Sequence, residues 1–513
     1  MNWKVVAIPI GLALIGLSSL FVKKEETVFQ SDVELPYGAD NIFIRHNVNR
    51  RIVGDYDTVT IDGIRCFILP EDAPDKVNLT IVEEQHWKTY IVPVSASKLQ
   101  SINGIPIKII RTKFPVVHIT SQVDDWREFD KESTEKNVPI ECSIAFQQEN
   151  VSFNKVHVKV TRHGNSSWGM TTKHGYNLKF DEKVSLYGMP KSKSWNLLGV
   201  GLDKTLSRDY IARVFAKNLD YPYVTEMQYV TLFVDGRYKG VYQLTEKPKK
   251  VMERVINPAH GDFAITWLDN DRDYPIMIDF KHNEFDLESA YMNGVEQWSA
   301  NMEVPDADEA PYPPEYYQKK LQELVDSIEA HSTEKIDLDS WAKYYWVQEF
   351  SKNYDAWYRS AYSFYKADED KWYQGTIWDF DRCWQYCDKK HTVDFSNYEG
   401  SIAIFGLYPD LFACDDFVKA VDDCYHEYVI DAMKTTESEV DIHKDFLGDD
   451  GYYNYQFWAD DRGCITTYLD NVFSTSFEGA YNNFSDYYKN REKYIIDNHE
   501  KMLKELTNGK FSE

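Results

Sequence analysis

The stretch from Asn353 to Asp381, NYDAWYRSAYSFYKADEDKWYQGTIWDFD, decides how the rest of the chain is read. It opens on a carboxylate in a polar turn, Asn353-Tyr354-Asp355. It closes on two more at alternate positions, Asp379 and Asp381, at the end of the apolar run Gly375 to Phe380. Ala361 to Tyr365 and the residues before Asp379 are aromatic and β-branched, which predicts two strands. The polar turn Lys366 to Lys371 joins them into a hairpin. A hairpin brings its outer ends together, so the Asp355 and Asp379 carboxyls are expected within about 8 Å, the reach of a shared metal. Asp381 is expected on the same side as Asp379, because strand side chains two apart share a face. Three carboxylates in one small space repel, and their pKa values rise unless a cation sits among them. Hard oxygen ligands of this kind suit Mg²⁺ or Mn²⁺. The competing reading is a set of turn aspartates at an acidic surface.

Working outward, the chain has 513 residues, enough for a large core and two or three domains. Its net charge of -26 argues against nucleic acid as a partner, since a phosphate backbone needs basic neutralisation. Residues 1–25 hold an export segment. Val5 to Val22 is an apolar run between Lys4 and Lys23. As a helix it is about 27 Å long, close to the ~30 Å of a bilayer core. It is a signal peptide or an uncleaved membrane anchor, the anchor being preferred because no clear small-x-small cleavage site follows. Either way the remaining chain is expected outside the cytoplasmic membrane, secreted or at the cell surface. Seven cysteines, an odd and sparse set, do not make a disulfide scaffold. Cys383, Cys387 and His391 can share a helix face, but they lack a fourth ligand and a known zinc spacing. Packed cysteines or one local disulfide are expected instead.

Residues 26–112 read as a small β domain. Asn41 to Arg45, Thr58 to Ile61, Arg65 to Leu69, Asn78 to Val82 and Thr89 to Val94 are short strands with polar or Gly/Pro punctuation. Nothing in them looks catalytic, and a spacer or a binding sandwich is the expectation. A new unit, 113–510, begins near Phe114. Its strand Lys155 to Val160 runs into Thr161-Arg162-His163-Gly164-Asn165-Ser166-Ser167-Trp168. Small and polar residues at Gly164 to Ser167 let backbone N–H groups approach an anion. Lys173 and Lys179 follow, the second inside the strand Tyr176 to Phe180. There Tyr176, Leu178 and Phe180 share a buried face and Lys179 the opposite one. Leu206, Tyr210 and Val214 predict one packed face of a helix over 203–218. Asp235-Gly236 marks a hairpin that ends at Glu246. The acidic, Pro-rich stretch Met302 to Pro314 reads as a flexible insertion or lid. Asp337 or Asp339 then caps a helix that delivers the chain to Asp355. Beyond Asp381 the chain is expected to be helical over 415–433, 462–473 and 480–506.

These motifs, RHGNSSW…KHGYNLKF, LYGMPKSKSWNLLG, the helix start at Asp203 to Arg208, DGRYKGVYQLTE, NYDAWYRSAYSFYK and WDFD, resemble in the same order the spore-coat CotH kinase family. The resemblance covers about 114–506. It implies an α+β, atypical protein-kinase-like fold with a mainly helical C-terminal part, here preceded by the β domain. It also implies ATP and a divalent metal as cofactors, and serines of coat or surface proteins as substrate. On this resemblance Arg162 and the Gly164, Asn165, Ser166, Ser167 turn face phosphate. Lys179, with Lys173 as rival, neutralises it, and Glu246 lies near the nucleotide base. Asp355 orients or accepts the hydroxyl proton, and Asp379 with Asp381 holds Mg²⁺ or Mn²⁺. Kinases often supply a metal-binding Asn shortly after the catalytic Asp. Here Arg359, Ser360 and Ala361 stand instead, so Ser360, water or Asp381 takes that place.

Three functions follow from these readings. The first is an exported or surface ATP- and metal-dependent protein kinase. The second is a catalytically inactive structural or adhesin-like protein of the same fold, in the spore coat or at the surface. The third is a sugar- or host-surface binder that uses the β domain.

Overall fold

The computed structural model describes strand segments within 27–110 and, from residue 111 to 508, all but 124–125, 132–134, 136, 147–152, 165, 236, 268–274, 279–297, 354, 357–359, 385–388, 391–392, 404–406 and 460–475. The export segment, Asn165, Cys387, His391 and the helix expected over 462–473 therefore lie outside the described residues. Within those residues no helix is long and apolar enough to cross a membrane. The chain divides into two units. One comprises Met1–Gly201, Met227–Leu244 and Asp449–Gly463, and the other Leu202–Glu226, Thr245–Gly448 and Cys464–Glu513.

The first unit is almost all sheet. Thr27–Gln30, His86–Pro93, Lys76–Glu83, Arg50–Gly54 and Ile44–Arg45 lie side by side in one sheet. Thr58–Ile61, Ile64–Leu69, Ile105–Arg111 and Leu99–Ile102 form a second. Seven further strands close a barrel in the order Val116–Ser121, Ile140–Phe146, Phe153–His163, Gly175–Val184, Ser192–Leu198, Arg237–Glu246 and Met227–Val234. Closure comes from parallel pairing of Val116–Ile119 with Thr231–Val234. Closing a sheet on itself removes its edges. Asp235, left-handed at the hairpin turn, pins the seam by accepting from the Ser121 N–H at 2.8 Å and its hydroxyl at 2.7 Å. Alternation fills the barrel as the sequence predicts. Tyr176, Leu178 and Phe180 are 1–3% exposed and point into a core that includes Trp168 and Trp195, while Lys179 is exposed on the outside.

The second unit carries one five-stranded sheet and most of the helices. The sheet order is Pro275–Ile278, Trp298–Val304, Phe263–Trp267, Tyr362–Lys366 and Lys371–Gln374. The helices of ten or more residues among the described residues are α1 (Arg208–Asn218), α2 (Pro314–Glu329), α3 (Leu338–Ser351), α4 (Asp415–Cys424), α5 (Ile430–Phe457) and α6 (Phe477–Thr507). The architecture is α+β, with sheet toward the N-terminus and helix toward the C-terminus. α3 packs on α1, α4 and α6, and from Ser340 on every residue of it is buried.

Four expectations are corrected. The hairpin exists, but its second strand is Lys371–Gln374, so that the reverse turn takes only 367–370. Gly375 to Phe380 leaves the sheet after Gly375, and Ile377 then makes only an isolated bridge to Val224, which lies outside the sheet. α1 starts at Arg208, and its buried face is Asp209, Ile211, Ala212, Arg213, Phe215 and Ala216, with Tyr210 and Val214 half-buried. The apolar period misplaces that face because an ion pair is buried on it. The ends of the stretch Met302 to Pro314 are regular, for Met302 and Val304 are buried strand residues and Pro314 opens α2, while most of 306–313 is exposed. The helix expected over 415–433 passes at Tyr425–Val429 through a turn of π-helix into α5, itself interrupted at Gly448.

Candidate active site

Two segments of the second unit bring the acidic residues together. α3 begins at Asp337, whose side chain accepts the Ser340 N–H at 2.8 Å. It ends at Lys352, which turns left-handed (φ 45°) and stops the helix. Three residues on, Asp355 sits half-buried in a turn, its N–H donating to the Asn353 side-chain oxygen at 3.3 Å. The hairpin follows. Its ladder ends where the Gly375 N–H donates to the Tyr362 carbonyl at 2.7 Å. Just outside that point Ser360 reaches across and donates its hydroxyl to Asp379 at 3.0 Å.

Asp379 and Ser360 both adopt left-handed backbone, φ 68° and 49°. Such conformations cost of order 1–3 kcal/mol in residues with a side chain and gather at functional sites. The turn at Asp379 is why Gly375 to Phe380 cannot be a strand and why alternation does not govern Asp379 and Asp381. The segment is instead held from α1. Asp209 accepts the Phe380 N–H at 3.4 Å and is paired with Arg213, which donates to it at 2.8 Å and lies over the Trp378 ring. Arg208 pairs with Asp203 and donates to the Trp384 carbonyl at 3.2 Å. Asp203 also takes the N–H groups of Thr205 and Arg208, both at 2.9 Å.

The electrostatics follow from this crowding. Surrounding protein and then the Asp355 carboxylate push the Asp379 carboxyl from 3.8 up to about 6, against Arg382 and the Ser360 hydrogen bond, although its side chain still meets solvent. Burial and then Asp379 hold the Asp381 carboxyl well above its ordinary range. So Asp355 and Asp379 feel one another, as do Asp379 and Asp381. The three do not form a closed cage with all ligand oxygens within 4.8 Å of one another. Mg²⁺ does not need one, since it keeps several waters and takes one or two carboxylates. Carboxylates that press on Asp379 and Asp381 from close by are a donor set that fits such a hard cation.

A protein-family model described as CotH kinase protein matches residues 160–495. The chain belongs to the CotH kinase family. A search of curated proteins finds no match.

The residues that the CotH resemblance assigns to nucleotide lie elsewhere in the chain. In the barrel unit, Gly164 (φ 99°) ends the strand Phe153–His163, and a Cβ there would stand 2.2 Å from the Ser167 hydroxyl. Ser166 opens the short helix Ser166–Met170, and Arg162 lies over the Trp168 ring. Lys173 is buried, donates to the Val241 carbonyl at 2.6 Å and lies 5.1 Å from the Tyr242 ring centre. Lys179 is exposed beside Lys159 on the neighbouring strand. In the helical unit, Glu246 is 1% exposed, accepts the Glu226 N–H at 3.0 Å and is bound by both Arg254 guanidinium nitrogens, at 2.7 and 3.0 Å. That carboxylate fixes a strand end through Arg254.

The reading of the sequence missed Asp209, Arg213, Arg208 and Arg382. Asp209 and Arg213 stand four apart, a spacing that signals a helical ion pair, but nothing in the sequence says that this pair is buried. Cys66, Cys142, Cys383, Cys414 and Cys424 are buried, and the Cys383 thiol donates to the Phe380 carbonyl at 2.8 Å. This is packing, one of the two states expected for them.

Proposed function

We propose that this chain is a CotH-type phosphotransferase of kinase-like fold that uses ATP with Mg²⁺ or Mn²⁺ to phosphorylate hydroxyls, serine first, of coat or surface proteins outside the cytoplasmic membrane. The observation that carries the reading is the approach of Asp355 and Asp379, two carboxyls on separate segments, with Asp379 pushed up to about 6 first by burial and then by the Asp355 charge. In this reading Asp379 and Asp381 hold the metal, and Ser360 orients Asp379 through its hydrogen bond. The bound metal supplies positive charge across the phosphate oxygens as the phosphoryl group moves. Asp355 accepts or orients the proton of the attacking hydroxyl. The export segment supports the location.

The test uses the purified full chain with labelled ATP and Mg²⁺ or Mn²⁺, reading nucleotide binding, self-phosphorylation and transfer to a serine-rich protein. Transfer that Asp355→Ala removes is expected. Nucleotide binding without transfer would favour a structural, inactive member of the family. Absence of both would overturn the proposal.

Lys179 is the preferred phosphate ligand, because its ammonium is exposed while that of Lys173 is committed to the Val241 carbonyl. Lys179→Ala should abolish ATP binding at a stability cost under about 0.5 kcal/mol, the usual scale for a surface change. Unchanged ATP affinity in a folded Lys179→Ala protein would move the role to Lys173 or remove it.

Metal affinity should depend on pH in a defined direction. A carboxyl binds metal only when ionised, and Asp379 takes up its proton as pH falls through about 6. Mg²⁺ affinity measured by calorimetry should therefore drop on acidification through about 6, well above the range of an ordinary aspartate. A titration that weakens only near 4 would show that Asp379 is not a ligand.

A further inference from the structure

Away from the acidic site, α4 and α6 bring two imidazoles and a carboxylate together. Asp422 stands near the end of α4, His426 follows it four residues on in the π-helical turn Tyr425–Val429, and His499 comes from α6. Both histidines aim Nε2 at the same carboxylate oxygen, Asp422 Oδ1, His499 at 2.7 Å and His426 at 3.6 Å. Among the described residues this is the group whose ligand atoms all lie within 4.8 Å of one another. We propose that Asp422, His426 and His499 form a binding site for a zinc-class divalent transition metal, separate from the acidic site.

Donor type is the first argument. Two imidazole nitrogens and one carboxylate oxygen suit Zn²⁺ and its neighbours rather than Mg²⁺. Three protein ligands leave a fourth, tetrahedral position for water. The second argument is geometry. With ligand bonds of about 2.0–2.2 Å, tetrahedral donors stand about 3.4 Å apart, so the metal-free distances need only the Asp422–His499 hydrogen bond to open and His426 to close in. The groups that must move are the mobile ones, for the side chains of Asp422 and His426 are 43% and 64% exposed. His499 is the fixed ligand, 4% exposed and stacked on Tyr425 with ring centres 3.6 Å apart.

Charge is the third argument. In an acidic chain, the ion-pair partners of Asp422 among the described residues are these two imidazoles and no lysine or arginine. Helical backbone departs into a π turn at His426, a feature that recurs at functional sites. A metal here would clamp α6 to α4 behind α3. There Trp346 lies 5.4 Å from the Tyr425 ring and 5.6 Å from His499, and donates its indole N–H to the Val421 carbonyl.

The test uses the full chain carrying Asp379→Asn and Asp381→Asn, so that the acidic site cannot report, stripped of metal and titrated with Co²⁺. Saturable visible absorption of the tetrahedral type is expected at one equivalent, displaced by Zn²⁺ and not by excess Mg²⁺. Zn²⁺ should also raise the Tm of this protein. His426→Ala, an exposed change that leaves folding intact, should weaken Co²⁺ binding by at least about tenfold, the scale seen when metal-site partners are removed. It should also cancel the Tm rise. His499→Gln should do the same. Absence of saturable Co²⁺ binding, or titrations of both variants that match the parent, would overturn the proposal.

Discussion

Asp379→Asn should lower phosphoryl transfer on the order of 10³-fold, the scale on which a preorganised electrostatic element contributes to kcat, while making the metal-free protein more stable. Both effects have one cause. Asparagine keeps the shape and can still accept the Ser360 hydroxyl, but it brings no charge. In the proposed reading, the metal would lose a ligand without that charge and transfer would fail. The same charge is what the folded chain tolerates badly. Asp379 has its carboxyl raised from 3.8 to about 6. Between those values the folded chain holds a proton that the unfolded chain has released, so stability falls as pH rises across the window and stays lowered above it. At about pH 7, in chelator, the variant should therefore melt above the wild type, and the gap should close fully only as pH falls below 3.8, where Asp379 is protonated in both states. Adding Mg²⁺ should raise the Tm of the wild type and not of the variant. A folded variant that retains transfer would remove Asp379 from the metal site. A variant no more stable than the wild type in chelator would show that the crowding at Asp379 carries no cost.

The approach of Asp355 to Asp379 could be read from residue order. Asn353-Tyr-Asp355 and Trp378-Asp-Phe-Asp381 stand at the two ends of a hairpin in the sequence, and hairpin ends meet, so the Asp355–Asp379 coupling follows from chain connectivity alone. What failed was the assumption of regular backbone up to Asp381. The left-handed turn at Asp379 depends on Asp209 taking the Phe380 N–H and on Arg208 taking the Trp384 carbonyl. Those contacts bridge more than 170 residues, and no local pattern announces them. The α1 face failed for a related reason. Periodicity assigns charged positions to solvent, whereas Asp209 and Arg213 are buried because each neutralises the other. The barrel shows the same division. Alternation in Tyr176 to Phe180 gave its inside and outside, but closure needs Val116–Ile119 to find Thr231–Val234, and strand composition says nothing about partners.

The deepest charge pair in the helical unit was the least visible in the sequence, and Arg491→Ala should be the most destabilising single change proposed for the chain. Arg491 on α6 and Glu349 on α3 are both fully buried and meet at 2.6 Å. Arg491 also donates to the Glu349 carbonyl at 2.9 Å and to the carbonyls of Tyr398 and Gly400, each at 2.7 Å. Glu349 in turn accepts from the Ser401 hydroxyl at 2.8 Å and the Ile402 N–H at 3.0 Å. One turn further, the Lys352 ammonium donates to the carbonyls of Asn397 and Glu399, each at 2.6 Å. Together they fasten the 394–402 segment to the end of α3, three residues before Asp355. Removing the guanidinium strands a buried carboxylate and leaves two loop carbonyls unpaired. Breaking a buried pair in this way costs about 3–5 kcal/mol, a third or more of the stability of a typical domain. Because the segment adjoins the approach to Asp355, transfer measured below the melting transition should fall as well. The double variant Glu349→Leu with Arg491→Met separates the two roles of the pair, for replacing both charges with apolar groups is often close to neutral. Denaturant unfolding should show most of the lost stability restored in it. Transfer should stay low, since the carbonyls of Tyr398 and Gly400 and the N–H of Ile402 still lack the partners that fix the segment. A cost below about 1 kcal/mol for Arg491→Ala would mean that water replaces the guanidinium, and the clasp would lose its place in holding Asp355.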